Sequence, residues 1–356
     1  MADWAKTAQR TYEYYTVDPG TWQDVERLDT VTSSSISWDA SAETLGSASF
    51  AITESVGEAY VRIYMITVQN GVREKRPLGT FLLQTPSSKF DGRIRDVTVD
   101  AYTPLLELKE NPPPLGYFLR EGENIMDKAY ELVREHARAP VVRATCDKVL
   151  PHDFVANTDD TWLSFLIDLI ALAEYEFDLD EEGRILFSPK QDIDALQPVW
   201  TYSDDNSSIL YPDITVDHDL YKVPNVVEVT YSGGAGAHSA RVVNDDPNSP
   251  VSTIGRGREI THRDPNPSIS GNPDDKQLAP QVQEYAEKLL KSMSTLTYTL
   301  SYSHGYCPVR LRDGVRLNYK RSDIDGVKAK VISQTIDCTP ECKVSETAVF
   351  VNKLWR

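Results

Sequence analysis

Apolar and polar residues alternate with period two through most of residues 1–107, the pattern of strands with one buried face. Thr11–Val17 alternates and ends at Asp18-Pro19-Gly20, a strong turn signal. Ser34–Asp39 and Ala48–Thr53 alternate again, and Tyr60–Val68 is the longest strand candidate. Asn70-Gly71 supplies a tight hairpin turn. Leu78–Gln84 and Arg93–Ala101 follow, with Asp91-Gly92 between them. Trp22–Leu28 reads as a helical turn. Short strands at this spacing predict a sandwich or barrel.

The texture changes at Asn111-Pro112-Pro113-Pro114, because three prolines suit neither a helix interior nor a paired strand. A helix is predicted over Asn124–Ala137, with Ile125, Ala129, Leu132, Val133 and His136 on one side. A second, Asp160–Tyr175, is apolar over more than half its girth, so it is expected to be buried, with Thr158 or Asp159 as N-cap. Phe177–Asp180 and Arg184–Phe187 form a hairpin about the turn Glu181-Glu182-Gly183. Strands then return. Val223–Tyr231 carries Pro224 at an edge or a strand start, Ser232–Ala237 is a flexible turn, and Ala240–Val243 resumes the sheet. A loop rich in Pro, Asn and Asp leads into an amphipathic helix over about 279–293. Its apolar face is Val282, Tyr285, Ala286, Leu289, Leu290 and Met293, and Pro280 falls in its first turn. Leu296–Tyr302 alternates, Arg312-Asp313-Gly314 turns, and a long hairpin spans Lys328–Val351. The fold class is therefore α+β, mainly β. A β-rich domain at each end, 1–107 and 214–356, flanks an α+β insert, 108–213.

Composition narrows the function classes. With 356 residues and 40% hydrophobic content, the chain has enough material for about two to three domains with real cores. No run of apolar residues is long enough for a membrane-spanning helix. The N-terminus lacks the apolar block and cleavage pattern of a secretory signal, so folding in the cytosol is expected. The net charge of −17 argues against electrostatic capture of duplex DNA or anionic membrane, which needs surplus Lys and Arg. An acidic wall would instead repel phosphate and keep a conduit slippery.

Candidate chemistry is sparse. Cys146 and Cys307 stand alone. Cys338 and Cys342 flank a three-residue turn, read as reduced thiols, with a cross-turn disulfide as the alternative. Asp217-His218-Asp219 suggests a metal or acid–base cluster, but on a strand the two carboxylates and the imidazole point to opposite faces. His304-Gly305 and His262-Arg263-Asp264 read as turn-like, without a partner at ligand spacing. His136 reads as a packing or surface residue. Ser232–Ala237 lacks the Lys-Ser/Thr and the helix of a phosphate loop. Gly255-Arg256-Gly257-Arg258 reads as a loop with two solvated arginines rather than an anion site. No Gly-x-Ser-x-Gly or His-Glu-x-x-His occurs. Tyr298 and Tyr302 share a face with Leu296 and Leu300, so core and interface roles are expected. No catalytic, cofactor-binding or metal residue is assigned.

Two stretches carry a resemblance. One is the loop Asp264-Pro265-Asn266-Pro267, the helix Gln281–Met293, the strand Leu296–Tyr302, the turn and basic strand Asp313–Leu317, and the closing hairpin. The other is Pro77-Leu78-Gly79-Thr80-Phe81, with Asp100-Ala101-Tyr102 before Leu105-Leu106. Together they resemble the baseplate hub proteins of phage tails and related contractile machines, the stretch from Pro77 to Leu106 like the N-terminal domain of siphophage hubs. The resemblance implies two tube-like β-barrel or sandwich domains around a small insert. It implies a homotrimer whose six similar domains match a sixfold tail tube to a threefold tip. The implied partners are the tail tube protein, a distal tail protein, tape-measure ends, and a tail fibre or central spike. DNA would only pass through the channel, and no stable membrane association or cofactor is expected. The implied location is the virion tail tip, after assembly in the host cytoplasm. Two other readings stay open: a receptor- or carbohydrate-binding tip module, and a cell-wall-degrading tail protein. The chain's end at Arg356, straight after the hairpin, leaves no room for the latter's extra domain.

Overall fold

The period-two stretches fold as strands because alternation gives each an apolar side to bury. A computed structural model describes residues 3–54, 56–90, 95–205, 208–217, 220–233, 236–265, 267, 275–322 and 324–355. The N-terminal strands are β1 (Gln9–Val17), β2 (Asp24–Arg27), β3 (Val31–Asp39), β4 (Gly46–Ile52), β5 (Tyr60–Gln69), β6 (Val72–Phe90) and β7 (Arg95–Tyr102). Next come α1 (Leu106–Glu110), β8 (Phe118–Leu119), α2 (Ile125–His136), β9 (Phe154–Val155), α3 (Trp162–Leu172), β10 (Tyr175–Leu179) and β11 (Ile185–Pro189). The chain continues through β12 (Pro198–Ser203), β13 (Leu210–Asp217), β14 (Val226–Gly233), β15 (Gly236–Val243), α4 (Thr253–Arg256), β16 (Thr261–Asp264) and α5 (Asp275–Met293). It closes with β17 (Thr295–Gly305), β18 (Gly314–Tyr319), β19 (Ile324–Asp337) and β20 (Lys343–Lys353). Strands take 47% of the chain and helices 16%, so the expected mainly β, α+β class is what the structure shows. Among the described residues no sheet closes into a barrel.

Two compact units are present, Met1–Ile214 with Ser301–Ala348, and Thr215–Leu300 with Val349–Arg356. The C-terminal segment contributes to both, and β13, β17 and β20 carry the chain between them. In the second unit the sheet β15-β14-β16 packs Val227, Val229, Ala240 and Val242 against Leu278, Val282, Ala286 and Leu290 of α5. The helix starts at Asp275, earlier than the sequence predicts. Pro280 therefore lies inside it rather than in its first turn, and the carbonyl one turn back loses a donor.

In the first unit the insert helices form as expected. Asn124 caps α2, its side chain accepting from the Asp127 amide. For α3 the cap is Thr161 rather than Thr158 or Asp159, because Ser164 completes a reciprocal capping box. Trp162, Phe165, Leu166 and Leu169 share one apolar core with Ile125, Met126 and Leu132, and with Val17, Trp22, Tyr60 and Leu105 below the N-terminal strands. Trp22–Leu28 forms no helical turn. Asp18 instead caps a tight turn by accepting from the Gly20 and Thr21 amides, which sends the chain back as β2, paired with β1 at Tyr15↔Arg27.

The β10–β11 turn plugs into the N-terminal strands. The Glu182 carbonyl accepts from Trp22 Nε1 (2.9 Å), Arg62 Nη2 (3.2 Å) and Thr80 Oγ1 (2.8 Å). Gly183 has φ of 77°, and a Cβ there would lie 2.6 Å from Thr80 Cβ. Gly183→Ala is expected to cost about 1–3 kcal/mol, from the left-handed backbone and the clash together. Urea unfolding measures this, and an unchanged midpoint would mean that the turn is free to withdraw from Thr80.

Candidate functional site

Eight strands of the large sheet run in the order β13-β17-β20-β19-β3-β4-β7-β6. Ranked by chain position, β3, β4, β6 and β7 stand in space as first, second, fourth, third. Ranked the same way, β13, β17, β19 and β20 stand as first, second, fourth, third. The same four-strand block occurs twice, once from each end of the chain. The extra strands correspond too. β5 lies before the third strand of its block and pairs antiparallel with that strand's first half, Val72–Leu82. β18 does the same for β19 over Ile324–Lys330. The blocks join where β19 meets β3, with Ile336 opposite Ile36 and Thr335 opposite Ser37.

One face of these strands is built from small hydroxyls in register. Asp337, Ser35, Ser49 and Asp100 form one row across four strands; Thr335, Ser37, Ser47 and Tyr102 form the next. Ser33, Ala51, Thr98 and Ser87 make a third. On the neighbouring strands Ser303 and Ser345 meet at 3.2 Å between hydroxyl oxygens. Ser and Thr at alternate positions leave a low, polar surface, and their cross-strand pairs help hold the register. The charges in these rows are carboxylates, Asp337 and Asp100. These three rows give phosphate no cation to exchange for its counterions.

The other face turns inward. Ile336, Ile36, Ala48 and Ala101 lie across it in line, all buried. Beside them the C-terminal block buries a polar cluster. His304 Nδ1 lies 2.8 Å from the Gly305 carbonyl, which only accepts, so this nitrogen carries a proton. His304 Nε2 faces the Glu346 carboxylate at 3.3 Å and the Tyr202 hydroxyl at 3.1 Å. Tyr302 donates to Glu346 Oε1. Gln334 Nε2 donates to Glu346 Oε2 (3.0 Å) and to the Val309 carbonyl (3.2 Å). Cys307 Sγ sits 3.3 Å from the Tyr202 hydroxyl and 3.9 Å from His304 Nδ1. Burial pulls the imidazolium pKa down, but the contacts with Cys307 and with Glu346 outweigh it and hold the pKa up at about 10. His304 is thus held as the imidazolium beside Glu346. A thiol, imidazole and carboxylate in line resemble a nucleophile–base–orienter set. Here His304 is 0% and Cys307 1% exposed, so the cluster acts as an ionic lock between strands rather than as a site open to substrate.

Several sequence expectations change. His304 is no turn residue without a partner: it lies on β17 against Glu346. Cys307 does not stand alone, and Tyr302 is buried as expected. His262, Arg263 and Asp264 lie on β16, not in a turn, and Arg263 pairs with Glu228 at 2.8 Å. Arg256 is not solvated, because its guanidinium caps the Val223 and Leu220 carbonyls beneath α4. His136 stacks on Trp162 at 4.1 Å, a packing role. Cys338 and Cys342 are buried free thiols, and burial pushes Cys338 up to about 12. His218 and Asp219 lie outside the described residues, as do Ala235 and Gly234 of the flexible turn. Among the described residues no group of three His, Cys, Asp or Glu side chains is placed to hold a metal. The hydroxyl face was the feature that residue-by-residue reading missed. Its signal is the alternation Ser33-x-Ser35-x-Ser37, echoed at Ser47-x-Ser49 and Ser333-x-Thr335.

The chain shares its fold with tail proteins of solved structure. The tail protein from Neisseria meningitidis MC58 superposes with a TM-score of 0.60 at 12% identity, over 96% of this chain and 97% of that one. The 43 kDa tail protein of prophage MuSo2 from Shewanella oneidensis gives 0.59 at 10% identity, over 95% and 98%. At these identities the likeness is one of fold. No family model matches the chain, and no curated protein matches it by sequence.

Proposed function

We propose that the chain is a structural hub of a phage-type tail tip, without enzymatic activity or cofactor. Three copies form a ring in which six four-strand blocks stand around a central channel, matching a sixfold tube to a threefold tip. The hydroxyl face lines that channel, and DNA passes it without being held. The tail tube protein, a distal tail protein and tape-measure ends contact the ring from above and within, and a fibre or spike lies below. The site of action is the virion tail tip, reached by assembly in the host cytoplasm.

One observation carries this reading: the same first-second-fourth-third block appears twice in one sheet, with a single hydroxyl face running across the join at β3 and β19. A chain holding two equivalent wall segments side by side is what a threefold ring of pseudo-sixfold character requires. The shared fold of two phage tail proteins supports the same reading.

Imaging the assembled particle at residue resolution tests it. Three copies around the tail axis are expected, with Ser37 and Ser49 facing the lumen. A single copy hanging from the outside of the tip, its hydroxyl face covered by another protein, would refute the ring.

A further inference from the structure

The loop between β15 and α4 is held from beneath by polar side chains that are themselves buried. Asn244 is 0% exposed, Ser249 4% and Ser252 0%. Asn244 Nδ2 donates to Ser249 Oγ (3.0 Å), while its Oδ1 accepts from the Asp246 amide (3.2 Å). Ser252 Oγ donates to the Ser249 carbonyl (2.9 Å) and accepts from the Gly255 amide (3.0 Å). The Asn244 carbonyl takes the Thr253 amide (2.9 Å). Buried polar groups cost stability unless they are paired, and a paired set fixes one shape. Pro247 and Pro250 stiffen the same loop. A surface segment so constrained presents its outward side chains in a fixed arrangement.

The loop forms one wall of a cleft of about 380 Å³, and the other wall is the end of β20 with the residues after it. Both walls belong to the second unit. Asp246 and Asn248 line it from the loop, and Asn352, Lys353 and Trp355 from the opposite side. Asp246 Oδ1 accepts from the Asn248 amide (2.8 Å), which leaves Oδ2 without a partner among the described residues. The side-chain amides of Asn248 and Asn352 are exposed and, among the described residues, likewise unpartnered. The Trp355 indole packs against the apolar core between α5 and its sheet and is half-buried, so part of the ring is left to the cleft.

Two amides, each able to donate and to accept, and a carboxylate oxygen match hydroxyl groups, which also do both. An indole offers a flat apolar surface for the C–H face of a sugar ring. The volume falls at the low end of the range for small-ligand sites, about 300–1,000 Å³. An apolar ligand would strip water from the amides and replace none of its bonds. An anionic one would meet Asp246 and a chain of net charge −17. We propose that this cleft binds a short neutral saccharide, with Asp246, Asn248 and Asn352 holding its hydroxyls and Trp355 lying against a ring face. The site goes beyond the ring reading and does not depend on it: it adds attachment to a surface glycan to a structural role.

The test uses the full chain. A printed array of neutral oligosaccharides, with sialylated and sulfated ones as anionic controls, is followed by saturation-transfer NMR with the strongest binder. Binding of a neutral glycan is expected, weakened about tenfold by Asn352→Ala and by Asp246→Asn, the equivalent of one hydrogen bond each. Asp246→Asn keeps an acceptor for the Asn248 amide, so the loop stays capped and only the outer oxygen changes. Asn352→Ala removes an exposed side chain, and urea midpoints equal to the wild type check that both variants fold. Binding at full strength in both variants would put the sugar elsewhere and overturn the site. Preference for the anionic controls would overturn the ligand class, and an array with no neutral glycan bound would overturn the proposal outright. None of these outcomes bears on the number of copies around the tail axis.

Discussion

Replacing Glu346 with leucine is expected to cost the fold about 3–5 kcal/mol, because it strands a buried imidazolium without its carboxylate. Glu346 is 2% exposed and accepts from Tyr302, from Gln334 and from His304, so its loss takes an acceptor from three donors at once. Glu346→Gln keeps the shape and removes the charge, and is expected to fall between the wild type and Glu346→Leu. Removing both members of the pair, as His304→Leu with Glu346→Leu, should recover much of the loss, since an apolar pair needs no solvation. Urea unfolding of the wild type, His304→Leu, Glu346→Leu and the double variant closes the cycle. If the two single changes and the double change simply add, the ionic lock has no coupling and the reading of this cluster fails.

The same pair sets a pH dependence with a definite sign. Folding holds His304 at about 10, above its unfolded value of 6.5, so the folded state keeps a proton that the unfolded state has lost. That stabilisation is complete below pH 6.5 and drains away as pH rises toward 10. Between pH 6.5 and 9 the slope should approach about 1.4 kcal/mol per pH unit, the linkage limit for one proton. Stopping at pH 9 avoids Cys338, whose raised pKa adds its own loss above that point. The groups facing His304 are Tyr202 from β12, Tyr302 from β17, Glu346 from β20 and Cys307 beyond β17, with Gln334 from β19 behind the carboxylate. In Glu346→Leu the slope should flatten, since only the Cys307 contact still raises the imidazolium pKa. A slope that keeps its full size after the substitution would assign the titration to another group.

The strands were readable because period-two alternation depends on near neighbours only. Ser34–Asp39, Ala48–Thr53 and Tyr60–Val68 all lie within or across observed strands. The same rule identified the buried face of Tyr302. It does not say which strand lies beside which. Nothing local marks Ile36 as the neighbour of Ile336, or Glu346 as the partner of His304, since each pairing is made by register between distant segments. Local rules also failed where a side chain reached across the fold. Trp22–Leu28 has a plausible helical spacing, but the Asp18 turn and pairing with β1 give its backbone better partners. Arg256 looked solvated because the carbonyls it caps belong to Val223 and Leu220, far back in the chain. The repeated block became visible only through sheet order, because the two copies share topology rather than spacing.

Arg62→Ala is expected to cost about 3 kcal/mol and to loosen the β10–β11 turn before the rest of the unit. The Arg62 side chain is 6% exposed, and every nitrogen of its guanidinium has a partner. Nε donates to Thr80 Oγ1 at 2.9 Å, Nη1 to Asp24 Oδ1 at 2.9 Å, and Nη2 to the carbonyls of Trp22 and Glu182. One side chain thus ties β5 to β6, to β2 and to the insert. The Asp24 side chain is 27% exposed and regains water when the arginine goes, which keeps the loss below that of Glu346→Leu. The Glu182 carbonyl keeps Trp22 Nε1 and Thr80 Oγ1, so the turn loosens rather than detaches. Arg62→Lys retains the charge but not the fork, and should recover less than half of the loss, because one ammonium cannot span donors set this far apart. Hydrogen exchange of the Gly183 and Arg184 amides, both bonded to Asp180, reads the local effect. Exchange that speeds up uniformly across the unit in Arg62→Ala would mean that the arginine supports the sheet alone. A lysine variant as stable as wild type would mean that charge, not the planar fork, holds the insert in place.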